Sequence, residues 1–230
     1  MEKRGGYMAT MPELIAVLEK HRVDNGATLE LFGRRLREAG RITKGKRGRG
    51  AAHMTYLDAA RLLIACAATD HPERAVDAEY VFSNLVRHSE AGIDGDFPLP
   101  AVEAATLDLG LAMTLEAIGN GSVDAIAKKR WEAEHPESHI RAPAFCWLRL
   151  HRSHTSADIR VLAGRYIYHH PALKALTDSI DNGTLHEVRD FATDALDRET
   201  YRFRTGKNLA AEFEEKLLND VAKLIAGEEY

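Results

Sequence analysis

Apolar residues recur at helical spacing along most of this chain and change to a two-residue period after Pro136. Thr10-Met-Pro-Glu13 reads as a capping box with proline in the first turn. Leu14, Val17, Leu18 and His21 follow at helical spacing, and Val23-Asp24-Asn25-Gly26 is a strong stop. A second helix starts near Thr28, shows Leu29, Phe32, Leu36 and Ala39 on one face, and ends at Gly40. Arg41-Ile42-Thr43 and Ala51-Ala-His-Met54 flank a glycine-rich tip, a pattern that predicts a small β-hairpin. Thr55 caps the next helix, whose buried face is Leu57, Ala60, Leu63, Ile64 and Ala67.

Further helices are predicted from Pro72 to about His88 and from Pro100 to Ile118, with a loop rich in Gly, Asp and Pro between them. Gly119-Asn-Gly121 ends the second, and Ser122 caps a short helix through Trp131. Residues 145–151 and 158–163 read as two antiparallel strands, and Arg165 to His169 continues or follows the second. Residues 208–226 form a last helix, with Asn208 as cap and Leu209, Phe213, Leu217, Val221, Leu224 and Ile225 apolar. The expected class is α+β, mainly helical: a module over residues 1–70, then a helical and β-hairpin module over residues 71–230 for dimerisation or regulation.

Charge changes this picture most. Residues 34–49 hold Arg34, Arg35, Arg37, Arg41, Lys44, Lys46, Arg47 and Arg49 against one acid, Glu38. That is 8 − 1 = +7 within a chain of net charge −4, leaving −11 elsewhere. Like charges so concentrated repel one another, and a polyanion partner offsets that cost. A solvated basic loop and an ordinary solvated helix face are the plain alternatives. The tip resists the plain reading, because Lys44 to Gly50 places four cations and three glycines in seven residues. Arginine suits bidentate contacts to phosphate or guanine, lysine acts as a point charge, and glycine lets backbone approach a duplex.

The order helix, turn, basic helix, basic tip, helix resembles a winged helix-turn-helix. LFGRRLREAGRITKGKRGRGAAHMT is similar to the second helix and wing of such proteins, and to phage and prophage proteins of alphaproteobacteria with a related basic block. The resemblance covers about residues 10–68. It implies double-stranded DNA as partner and transcription regulation of a phage or prophage type. Arg34, Arg35 and Arg37 would lie near base edges and phosphates, Arg41 beside them, and Lys44, Lys46, Arg47 and Arg49 in the wing. One departure is that residues 23–27 barely accommodate a middle helix. A DNA-packaging or recombination accessory and a protein–protein adaptor are the alternative readings, and RNA stays open as the nucleic acid. The last helix offers a homodimer contact or packs on its own core.

Other chemistry finds little support in the residues. There is no GxxxxGK[ST], GxGxxG or GxSxG motif. His135/His139, His151/His154 and His169/His170 lack a recognisable ligand spacing, so no metal, cofactor or enzymatic activity is expected. Asp94 and Asp96 lack the other ligands of a calcium loop. Cys66 and Cys146 sit in apolar settings as reduced thiols. No apolar run reaches the roughly 18 residues of a membrane span, and MEKRGGYMATMPE is not a secretory signal. A cytoplasmic protein is the expectation.

Overall fold

Helix starts near the N-terminus are set by side chains that take orphan backbone donors. The computed structural model describes residues 9–44, 52–91, 104–137, 146–162, 164–201 and 209–228. Helix α1 (Met11–Lys20) opens where the Glu13 carboxylate accepts from both the backbone N–H and the hydroxyl of Thr10, at 2.8 and 2.7 Å. Helix α2 (Gly26–Glu38) begins earlier than Thr28, because the Asn25 side chain accepts from the Thr28 N–H at 3.0 Å. Thr55 caps α3 (Tyr56–Ala68) as expected, with Asp58 reaching back to it.

Nine residues of α3 are buried, from Asp58 to Ala68, which makes it the central helix. It packs on α4 (Ala75–Ser83), reached through a 3₁₀ turn at Pro72–Arg74, and on α5 (Leu107–Gly119). α6 (Ser122–Glu134) follows α5; Gly121 rather than Ser122 occupies its cap position. α9 (Glu215–Ala226) lies against α5 and α1. One hydrophobic cluster runs from Ala9 to Leu224 through all of these helices. Core packing is thus continuous across the boundary expected near residue 70.

The alternating stretch builds more sheet than the expected hairpin. Strands β1 (Val86–Ala91), β2 (Cys146–His151), β3 (Ser156–Val161), β4 (Gly164–His169) and β5 (Ala210–Phe213) form one antiparallel sheet in the order β1-β4-β3-β2-β5. Cys146, Leu148, Leu150, Ala157, Ile159, Tyr166 and Tyr168 face the helices and are buried. Gly110 of α5 faces the Tyr168 hydroxyl so closely that a Cβ there would overlap it. Trp147, Arg149, Asp158, Arg160 and Arg165 belong to the opposite set of alternating positions. There the Arg160 guanidinium lies 4.5 Å from the centre of the Trp147 ring, and Arg165 donates to Asp158 at 2.8 Å.

Two predicted helices give up part of their periodic stretch to the sheet. The Pro72–His88 run stops at Ser83, and Val86 onward pairs with β4. Residues 210–213 pair with the edge of β2, so the last helix starts at Glu215; the proposed cap Asn208 lies outside the described residues. In both cases an available sheet edge supplied backbone partners that outweigh a short helical turn. Among the described residues of the 100–118 run, helix begins at Leu107, since Thr106 bridges Val86; residues 100–103 are outside the described set. After β4 come α7 (Pro171–Asp181) and α8 (Leu185–Thr200), which pack chiefly on each other. No described helix is long and apolar enough to cross a membrane.

Candidate nucleic-acid interface

The basic segment begins on α2, and the packing of α2 decides which cations face outward. Leu29, Phe32, Gly33 and Leu36 are buried, with Gly33 set against Met11 of α1. The Glu19 carboxylate of α1 accepts from the Gly26 N–H at 3.1 Å and holds the two helices at their turn. Ala27, Glu30, Leu31, Arg34, Arg35 and Glu38 are exposed on the opposite side, and Arg37 is half-buried. This outer face is mixed in charge. Glu30 and Glu38 share it with Arg34 and Arg35, and Arg34 pairs with Glu38 at 3.3 Å. The positive excess therefore belongs to the chain beyond Gly40 more than to the helix.

Gly40 makes the exit. Its φ of +74° allows its own N–H to bond the Arg37 carbonyl and the Arg41 N–H to bond the Leu36 carbonyl, closing the helix in a Schellman motif. Lys44 folds back and donates to the Glu38 carbonyl at 3.3 Å, placing a cation at the negative helix end. Arg34, Glu38 and Lys44 thus share one corner of the molecule.

Arg41 departs from the expected role. Its Nε and Nη2 donate to the two carboxylate oxygens of Glu79 at 2.6 and 3.0 Å. Glu79 is fully buried and also accepts from Ser83 at 2.5 Å. The hydrogen bond to Glu79 holds the Arg41 pKa above its ordinary value, against the opposing effect of burial. Arg61 completes the network: it donates to the Arg41 carbonyl at 2.8 Å and to Asp108 at 3.0 Å, and lies 3.8 Å from Glu79. Arg41 is a bolt joining the end of α2 to α4, and its guanidinium is turned inward rather than toward a phosphate.

Both ends of the tip are fixed at its base. Ile42 and Met54 are buried. Asp58 accepts from the N–H and hydroxyl of Thr43, both at 2.8 Å, and from the N–H and hydroxyl of Thr55, both at 2.9 Å. The Met54 N–H donates to the Ala9 carbonyl at 2.8 Å, and His53 forms an antiparallel bridge with Thr10. The two arms expected to pair with each other do not do so among the described residues. Asp58 satisfies the outgoing arm, and the strand-like lead into α1 satisfies the return arm. Lys46, Arg47 and Arg49 lie outside the described residues.

The charge pattern of the sequence does not mark Asp58, Glu79, Arg61 or Asp108 as part of the site. The available signal was an acid or arginine inside an otherwise apolar helix face, as in YLDAARLLIACAA. Elsewhere, His169 stacks on His88 at 4.5 Å, and burial lowers its pKa. The described residues contain no group of three or more His, Cys, Asp or Glu arranged to hold a metal ion. Burial pushes the Cys146 thiol up to about 12. In comparisons with protein families, curated proteins and solved structures, the chain matches none.

Proposed function

We propose that this protein binds double-stranded DNA without covalent chemistry, as a transcription regulator of the phage or prophage type. The observation that carries the reading is the charge of +7 over residues 34–49, joined to a base where Thr43 and Thr55 are clamped on one carboxylate. A fixed base limits the entropy lost when a charged segment is ordered on its partner. The Thr10–His53 bridge adds support, since it ties the far side of the tip to the start of α1. In this reading Arg34, Arg35 and Arg37 approach base edges and phosphates from α2. Lys44, Lys46, Arg47 and Arg49 hold the backbone, and Arg41 supports α2 from behind. The regulatory assignment rests on the resemblance of the basic block alone.

The test is fluorescence anisotropy with a mixed-sequence duplex at roughly 50 and 200 mM salt, where counterion release weakens phosphate-dominated binding steeply. The native chain is compared with the Lys44/Lys46/Arg47/Arg49→Ala variant. We expect salt-sensitive binding that the variant loses by at least about 100-fold, since each phosphate contact contributes to the salt slope. Absence of binding at low salt, or equal binding by the variant, overturns the proposal.

A further inference from the structure

Helices α7 and α8 pair with each other and leave apolar surface open. α7 has 11 residues and α8 has 16, and of these only Ser179, Ala192 and Thr200 are buried. A surface helix normally turns its apolar stripe to a core. Here Leu173 and Leu176 of α7 are only half-buried, and Ile180 near its end is 56% exposed. On α8, Val188 and Ala195 are half-buried, and Phe191, between them at helical spacing, is 75% exposed. Among the described residues, no ring or cation lies on the Phe191 ring.

Charge selects what covers this face. Glu187, Asp190 and Asp194 are exposed and repeat at the spacing of Val188, Phe191 and Ala195, one position earlier. Glu187 and Asp194 are therefore surface neighbours of Phe191, at i−4 and i+3. Asp190 and Asp194 make no hydrogen bond or ion pair with a described residue. Residues 171–201 as a whole hold three cations against seven acids, a net −4. A second copy of the chain would set one such charge against another, and a nucleic acid or an anionic bilayer would be repelled in the same way. A cationic partner is attracted instead. An apolar strip flanked by acids at helical spacing matches an amphipathic helix, whose anchors recur at i, i+3, i+4 and i+7.

We propose that α8 is a docking surface for a cationic amphipathic helix of a partner protein. The apolar side of that helix covers Val188, Phe191 and Ala195, and its Lys or Arg side chains pair with Glu187, Asp190 and Asp194. The proposal stands apart from the DNA reading, because none of these residues belongs to the basic segment. Removing the Phe191 ring weakens the partner's hold and leaves the lone chain as stable as before.

The probe is a labelled peptide of leucine and lysine about 18 residues long, roughly five helical turns, with its leucines on one face. Its control has the same composition in an order that gives no apolar face. Fluorescence anisotropy follows both peptides on the full-length chain. We expect the patterned peptide to bind at least about tenfold tighter than the control. Phe191→Ala should weaken it about tenfold, as for an aromatic anchor buried on binding. Asp190→Asn combined with Asp194→Asn should weaken it by about the same factor and flatten its salt dependence. All three side chains are exposed, so both variants should keep the native circular dichroism spectrum and melting temperature. The proposal is overturned if the native chain does not bind the patterned peptide, if it binds the control equally well, or if either variant binds like the native chain. It is overturned in favour of a second copy if sedimentation shows a dimer of the native chain that Phe191→Ala dissociates.

Discussion

The base of the basic tip and the α7–α8 pair are both rich in charge, yet they are attached to the molecule in different ways. At the base, Arg41 ends on Glu79, Arg61 on Asp108, and Thr43 and Thr55 on Asp58, and all three carboxylates are buried. On α8, only Ala192 and Thr200 are buried, while Phe191 is 75% exposed. Its acids Glu187, Asp190, Asp194 and Asp197 stand on exposed positions. The contrast teaches that density of charge alone does not define a site. Position does, and position here is supplied by buried polar bonds that would be costly to leave unmade.

The most severe way to break the contrast is Glu79→Ala. It leaves Arg41 and Arg61 facing one another without their shared carboxylate, and we expect a loss of about 3 kcal/mol, the lower end for breaking a buried pair. Urea unfolding measures it, and a loss below about 1 kcal/mol would show the bolt to be ornamental. Asp58→Ala comes next. It removes the acceptor of four hydrogen bonds, and we expect about 2–3 kcal/mol from the cap and the unpaired donors at Thr43. On the DNA reading the same variant also weakens duplex binding, while its salt slope stays near the native value because the cations are retained.

A contact between the two extremes gives a smaller effect with a pH signature. Arg152, in the turn between β2 and β3, donates to both oxygens of Asp70 at 2.9 Å and to the Ala67 carbonyl at 2.7 Å. The hydrogen bond from Arg152 holds the Asp70 carboxyl below its ordinary value. A depressed folded-state pKa stabilises above the unfolded value and loses that contribution as pH falls through the folded one. Asp70 is largely exposed, so Asp70→Asn should cost less than about 1 kcal/mol at neutral pH. The difference from the native chain should vanish in acid below the ordinary carboxylate range. A pH-independent difference in unfolding free energy would remove the ion pair as its cause. The mildest change is Phe191→Ala on α8, expected to stay within about 0.5 kcal/mol; a larger loss in the same assay would mean that the helix pair has a partner.

What local chemistry decides is legible in the sequence. The capping box at Thr10, the cap at Thr55 and the stop at Gly40 were legible because each works within a few residues. The mainly helical α+β class was legible from the change of period. Elements decided by distant partners were not. Val86 and Ala210 sit next to helical patterns but pair with strands 83 and 59 positions away, at His169 and His151. Arg41 reads as one more cation of the basic run, and only the approach of Glu79, 38 residues later, turns it inward. In the same way Glu30 escapes notice until α2 is packed and its exposed face is seen to carry acids.

The contact between α1 and α9 sets a timetable. Lys20 and His21, at the end of α1, reach the Asp220 carboxylate of α9 at 3.3 and 2.8 Å. α1 is complete at residue 20 and α9 only at residue 226. At synthesis rates of about 5–20 residues per second, roughly ten to forty seconds pass between them on the ribosome. Through that interval the apolar face of α1 is without the α9 surface it packs against. Until α9 is made, α1 is held by α2 alone among its larger helix contacts.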